Sequence, residues 1–246
     1  MTREWDAAAY DRVAEPQARW GAGVIGRLDP AGVGLLLDAG CGSGRVTEQL
    51  LERLPGAHVI ALDASERMLA EAGRRLARFG TRVDYVCGDL REPLPLDRPV
   101  DAIVSTATFH WVPDHPGLFR RLAAVLVPRG QLVAQYGGAG NIASVVRALG
   151  EIRGALRGRW TYPAPGPERR ALLEAGFEDV QAWLQPEPTV FEPGEPFEAF
   201  LETVVLREHV ARLPEAERRP FVRSVVARLP GPTLDYVRLN VVARRS

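Results

Sequence analysis

Apolar positions along the chain follow two rhythms. Residues 33–39 form a short apolar run, and Arg45–Leu54 then shows helical spacing. Ala57–Leu62 is a second run ending at Asp63. Ser65 stands where it can cap a helix over 65–79, whose apolar positions are Met68, Leu69, Ala72 and Leu76. Val83–Cys87 and Val100–Thr106 are a third and a fourth strand. Leu118–Leu126 reads as a helix, broken by Pro128-Arg129-Gly130 before a fifth strand, Gln131–Tyr136. Strands that alternate with helices and are apolar on both faces predict an α/β fold: a parallel sheet covered by helices. Its ligand site belongs beyond the C-terminal ends of the strands, near the point where strand order reverses.

After Tyr136 the alternation weakens. Asn141–Trp160 reads as a helix with arginines interleaved, and 162–167 is a proline-rich break before a helix Glu168–Ala175, which Gly176 stops. Residues 178–192 predict a strand, 197–212 and 215–228 two helices, and Leu234–Ala243 a last strand. Together these give seven strands. The first 28 residues read as helical and able to fold over the active edge of the sheet, with 141–160 and 193–230 as a roof.

The composition is that of an ordinary globular protein, with 46% hydrophobic and 25% charged residues. The 31 basic and 31 acidic side chains cancel, which argues against a nucleic-acid binder working through overall charge. No apolar run reaches the ~18 residues of a membrane span. The start, Met-Thr-Arg-Glu-Trp-Asp, is too polar for a secretory signal, so a cytoplasmic protein is expected. Two cysteines, Cys41 and Cys87, are too few for a disulfide framework. There is no lysine, so every formal cation is an arginine, and a Walker loop, which needs its Gly-Lys, is excluded.

The main chemical signal is Asp38-Ala39-Gly40-Cys41-Gly42-Ser43-Gly44 between a strand and a helix. Its glycines allow a tight turn and close approach of a ligand. Asp63, at the end of the second strand, stands where a carboxylate can accept from both hydroxyls of a ribose. Position 45 is arginine, so the spacing Gly-x-Gly-x-Gly departs from the dinucleotide fingerprint. Gly88-Asp89-Leu90 places another carboxylate after the third strand, near an adenine's amine.

These motifs, with Asp101-Ala-Ile-Val-Ser-Thr106, resemble in order and spacing those of class I S-adenosylmethionine-dependent methyltransferases, in the small-molecule branch that includes the trans-aconitate methyltransferases. Thr108-Phe-His-Trp-Val-Pro-Asp-His115, Trp5-Asp6 with Tyr10, and Val241–Arg245 are similar to that group too, although His110-Trp111 stands where Gln-Trp is common. The resemblance is strong over 34–136 and loose elsewhere. It implies a Rossmann-like fold, a mostly parallel seven-stranded sheet with helices on both faces, and a helical cap. It divides one methyltransferase domain into a lid (1–30), a cofactor core (34–136), a cap (137–232) and a final strand (233–246). S-adenosylmethionine is the implied cofactor. Gly40 and Gly42, with Cys41 between them, would hold its methionine and ribose part, and Asp38 would reach the amino group. Asp63 would hold the ribose diol, while Ala64 and Met68 pack the adenine face. Asp89 and Leu90 would bind the adenine edge, and Thr106 would flank the carboxypropyl chain.

Methyl transfer from a sulfonium is an in-line displacement, so holding the reactants collinear and dry is the main task. A carboxylate acceptor is already ionised and needs cations, whereas a phenol, alcohol or carbon acceptor needs a base. His110 is the candidate base, and Tyr10 is a candidate catalytic group in the segment over the cofactor, with Trp5 and Trp20. Phe109, Trp111, Tyr136 and Trp160 are candidate acceptor-pocket walls. Arg147, Arg153, Arg157 and Arg207, and Arg12 and Arg19 near the N-terminus, are candidate carboxylate holders, although in this chain any helix carries arginines. His115 reads as a helix-start or surface residue, and His58 and His209 as surface. A metal site from His110, Asp114 and His115 is conceivable, but structural zinc takes four ligands and catalytic zinc three, and no metal is expected. The expected partner is a small-molecule methyl acceptor, with no nucleic acid and no membrane. Two alternatives use the same motifs: a cofactor-binding protein without methyl transfer (a regulatory partner or a non-redox cyclase), and a nucleic-acid methyltransferase. The second lacks the Asn/Asp-Pro-Pro-Tyr/Phe segment after the fourth strand, where Thr106-Ala-Thr-Phe109 stands.

Overall fold

A computed structural model describes residues 15–152 and 160–246, with side chains from Trp20 onward. Nine strands occur among them: β1 (Leu35–Ala39), β2 (His58–Asp63), β3 (Val83–Cys87), β4 (Val100–Thr106), β5 (Leu126–Gly137), β6 (Phe177–Pro186), β7 (Thr189–Val190), β8 (Thr233–Leu234) and β9 (Val237–Arg245). Seven form the main sheet in the order β3-β2-β1-β4-β5-β9-β6, and β7 pairs with β8. The first five strands run parallel, and β9 is antiparallel to both β5 and β6. The mostly parallel seven-stranded sheet expected from the sequence is therefore present.

Helices cover both faces. On one lie α1 (Glu15–Ile25), α2 (Arg45–Arg53) and α3 (Glu66–Leu76); on the other lie α4 (His115–Ala124) and α6 (Pro165–Glu174). Strand side chains alternate between the two cores because successive residues of a strand point to opposite faces. Leu36, Val59 and Val104 pack with Val24, Leu50 and Leu76, whereas Leu37, Ile60 and Ile103 pack with Leu118, Phe119 and Leu172. A third apolar cluster joins Trp20 and Tyr236 to α5 (Ala143–Glu151), α7 (Glu195–Phe200), a π-helical turn (Leu201–Val205), α8 (Arg207–Val210) and α9 (Glu215–Val226). These helices stand over the C-terminal edge of β1, β2, β4 and β5.

Several boundaries differ from the sequence reading. The helix expected over Asn141–Trp160 is α5 alone, which ends at Glu151; Trp160 is not helical, and 153–159 lie outside the described residues. The last strand begins at Val237, because Thr233–Leu234 pairs with β7 in the small sheet. The helix expected to end at position 79 stops at Leu76 and continues as a 3-10 segment to Arg82. His209 is not a surface residue: it is buried between Trp160 and Phe221. His115 does start α4, yet it is buried there too.

Candidate cofactor and acceptor site

The β1–α2 turn is built by backbone contacts that only glycine accommodates easily. Gly40, Gly42 and Gly44 all have positive φ, of 84°, 54° and 83°. A Cβ on Gly40 would lie 2.3 Å from the Thr108 side chain, so this glycine lets the β4 loop close against the turn. Thr108 also donates its hydroxyl to the Gly40 carbonyl (3.2 Å). The Gly40 and Cys41 amides both donate to the Leu62 carbonyl, which ties the turn to the end of β2.

Asp63 is oriented before any ligand arrives. Its Oδ2 accepts from the Gly42 amide and its Oδ1 from the Ser65 amide, each at 2.9 Å. These two bonds fix the carboxylate plane at the end of β2, facing the space where a ribose diol would lie. Ser65 caps α3 as expected, its hydroxyl accepting from the Met68 amide. Asp38 is buried and accepts from the Thr47 hydroxyl at 2.6 Å. Burial pushes its carboxyl up to about 7, the Thr47 bond opposes that shift, and the Asp63 charge adds to it. Burial, then the charges of Asp38 and Asp63, also raise the Cys41 thiol. Asp89 is held below its ordinary value by its bonds from Arg91.

A cavity of about 640 Å³ opens above this edge, within the range of ordinary small-molecule sites. Every candidate cofactor residue lines it: Asp38, Gly40, Cys41, Gly42, Asp63, Ala64, Met68, Asp89, Leu90 and Thr106. The space fits the implied cofactor on two observations. A Cβ placed on Gly42 would meet nothing within 4 Å, and the Thr106 hydroxyl is buried without a hydrogen-bond partner among the described residues.

His110 reaches the cavity from the 3-10 turn Phe109–Trp111. Its Nδ1 accepts from the Gly137 amide at 3.4 Å, which assigns the proton of the neutral ring to Nε2. Burial, the nearby Arg238 charge and His115 all keep the ring neutral. With Nδ1 so occupied, the neutral ring offers an N–H donor at Nε2.

Trp20, Trp111, Trp160 and Arg207 line the cavity, as the sequence reading allowed. Phe109 and Tyr136 do not; they pack against each other in the core beneath, with ring centroids 5.3 Å apart. Arg147 is exposed and away from the cavity. Trp5, Tyr10, Arg12, Arg153 and Arg157 lie outside the described residues, as does the Arg19 side chain. The conceivable metal trio does not converge. Asp114 accepts from the Gly117 amide, and His115 bonds Glu168 instead. Among the described residues no three His, Cys, Asp or Glu side chains group around a metal position.

Sequence reasoning missed Arg238. It is the second residue of β9, paired with Gly137 at the active edge, is 2% exposed, and places its guanidinium carbon 4.4 Å from the Trp20 ring centre. The signal was weak: an arginine in a strand of an arginine-rich chain reads as a solvated face. Tyr162 and Asn141 were missed as well. Both line the cavity, and an Asn141 bond to the Tyr162 hydroxyl accompanies a phenol raised by burial.

The family described as a methyltransferase domain matches residues 36–130. The fold and motif geometry are similar to those of class I S-adenosylmethionine-dependent methyltransferases, whose cofactor the glycine-loop half of the cavity suits. Within that class the sequence is similar to trans-aconitate 2-methyltransferases. The one from Acidovorax ebreus is 38% identical over 132 residues, covering 54% of this chain and 49% of the relative. The chain thus spans about half the length of the relatives it matches at that identity. The one from Yersinia pestis is 28% identical over 239 residues, covering 92% of this chain and 88% of the relative. Among solved structures, phosphoethanolamine N-methyltransferase 2 of Haemonchus contortus superposes with a TM-score of 0.67 at 19% identity, covering 98% of this chain and 56% of that one. That likeness concerns the fold. Among the described residues no helix is long and apolar enough to cross a membrane.

Proposed function

We propose that the protein methylates a carboxylate of a small organic acid, using S-adenosylmethionine and releasing a methyl ester and S-adenosylhomocysteine. The observation that carries this reading is a buried cation, Arg238, lining the same cavity as the acidic residues of the glycine-loop side. Asp38, Asp63 and Asp89 lie in the glycine-loop half, where they suit the cationic cofactor and its diol. Arg45 and Arg91 line that side too, and the buried Arg238, with Arg207, Glu208 and Arg212 from α8 and the turn after it, lines the rest. A buried cation there suits an anion.

When bound, the cofactor would supply an electrophilic methyl carbon, to which a carboxylate oxygen would bond as the C–S bond is lost and S-adenosylhomocysteine leaves. No proton is transferred, which agrees with a His110 whose Nδ1 is occupied and whose Nε2 can only donate. Arg238 and His110 would orient the acid, while Trp111 and Trp160 exclude water from the line of attack. Tyr10, a candidate from the resemblance, belongs to the same reading as a group over the cofactor. The relatives' names give trans-aconitate, itself a carboxylate, as the molecule methylated.

The test is incubation of the full chain with S-adenosylmethionine and a panel of acids, amines and phenols, with products read by mass spectrometry. An ester formed in step with S-adenosylhomocysteine is the expected result. Tight cofactor binding without turnover of any acceptor would instead favour a protein that has lost methyl transfer.

A further inference from the structure

Resting on that reading, we infer that Tyr162 is a further substrate-binding residue, whose phenol proton is donated to the acceptor's carboxylate, and that Gly137 and Asn141 position it. Gly137 is the last residue of β5, and a Cβ there would lie 2.5 Å and 2.8 Å from Cε1 and Cδ1 of Tyr162 and 2.9 Å from Nδ2 of Asn141. Real Cβ atoms do not come so close, so glycine at this strand end is what lets the Tyr162 ring lie against it. The segment carrying the ring is pinned on both sides. The Thr161 amide donates to the His110 carbonyl at 2.8 Å, and the Ala139 amide donates to the Pro163 carbonyl at 2.9 Å. Trp160 stacks on Tyr162 with centroids 5.9 Å apart and planes 10° from parallel, which fixes the plane of the ring.

Asn141 decides which way the phenol proton points. It is buried, and its Oδ1 accepts from the Val237 amide at 3.0 Å, which leaves Nδ2 to donate to the Tyr162 hydroxyl. A hydroxyl oxygen that accepts from an amide still has its own proton to give. Burial raises the phenol more than the Asn141 bond and the Arg238 charge lower it, so that proton stays on the oxygen. Tyr162 is half-buried and lines the cavity beside His110, with ring centroids 5.9 Å apart. Such a donor discriminates between classes of acceptor. A carboxylate can accept from Tyr162 with one oxygen and attack the methyl carbon with the other, and a charge-assisted bond is stronger than a neutral one. A neutral amine has a single lone pair, which it needs for the attack.

Steady-state kinetics of the full chain with benzoate, cinnamate, succinate and trans-aconitate identify the acid with the highest kcat/KM, each ester confirmed by mass spectrometry. With that acid, Tyr162→Phe, which keeps the ring and removes the proton, is expected to raise KM about tenfold or more, the size of a hydrogen bond to a charged group. S-adenosylhomocysteine affinity, read by calorimetry, is expected to stay within about twofold. Asn141→Asp still accepts from Val237 but turns an acceptor toward Tyr162, which draws the phenol proton away from the cavity. It is expected to raise KM to a similar degree, and to have less than a twofold effect when Tyr162 is already Phe. Should Asn141→Asp fail to fold, Tyr162→Phe alone decides. A KM for Tyr162→Phe within twofold of the parent's, or an Asn141→Asp effect undiminished in the Phe background, would overturn this inference and leave carboxylate methylation standing. No ester from any of the four acids by the parent chain, with S-adenosylhomocysteine still bound, would overturn the underlying reading instead.

Discussion

At the scale of single residues, Asp38 ties cofactor chemistry to pH. Its carboxyl is pushed from 3.8 to about 7 by burial, so across that window the folded chain keeps a proton that the unfolded chain has released. Stability from this group is thus greatest at low pH and falls as pH rises from about 4 to about 7, by up to about 1.4 kcal/mol per unit. Asp38→Asn, which still accepts from Thr47, is expected to flatten that slope in denaturant titrations. A cationic cofactor favours the ionised form. Its binding near pH 6.5 is therefore expected to release a proton, with affinity rising toward pH 8. Calorimetry in two buffers of different ionisation enthalpy measures that release, and an equal release from Asp38→Asn would rule out Asp38 as its source.

Between elements, the acceptor loop is held from behind by a buried polar cluster. Glu168 on α6 accepts from the Tyr136 hydroxyl of β5 and bonds His115 Nδ1 at 2.8 Å, and His115 Nε2 meets the Phe109 carbonyl at 3.1 Å. All three side chains are buried. The turn that carries His110 is thereby fixed to β5, α4 and α6 together. Tyr136→Phe is expected to cost about 1–3 kcal/mol, because a buried acceptor loses a donor. Glu168→Ala is expected to cost about 3–5 kcal/mol, because it strands two buried groups. The double variant is expected to cost less than the sum of the two, since both remove the same bond. Additive losses in urea titrations would show that the cluster does not act as a unit. None of this was legible locally: His115 reads as a helix start, which it is, and only the packing of α6 supplies its partner.

For the whole molecule, cofactor binding couples two halves of the chain that are far apart in sequence. Asp63 and the glycine loop lie on the sheet, whereas Trp20 and Arg207 come from the covering helices. Saturation with S-adenosylhomocysteine at about 100 times its Kd is expected to stabilise the fold by about 2.7 kcal/mol. At this chain length that raises Tm by roughly 5–10 °C. Asp63→Ala, which removes the group aimed at the ribose diol, is expected to lose most of that rise at the same ligand concentration. A full rise in the variant would refute the placement of the ribose at Asp63.

The cofactor half was legible in the sequence because it is made of consecutive strand–turn–helix units. Gly40, Gly42 and Asp63 sit next to the strand ends that position them, and the apolar runs mark those strands directly. The first five strands and their parallel pairing followed from the same local signal. Tertiary structure decided the acceptor half, where Trp20, His110, Tyr162 and Arg238 arrive from four distant segments. Periodicity shows which face of an element is apolar but not which element covers it. Arg238 alternates with Leu239 along β9, and its burial depends on Trp20 lying over that face. The partner of His110 Nδ1 likewise comes from a neighbouring strand, as the Gly137 amide of β5.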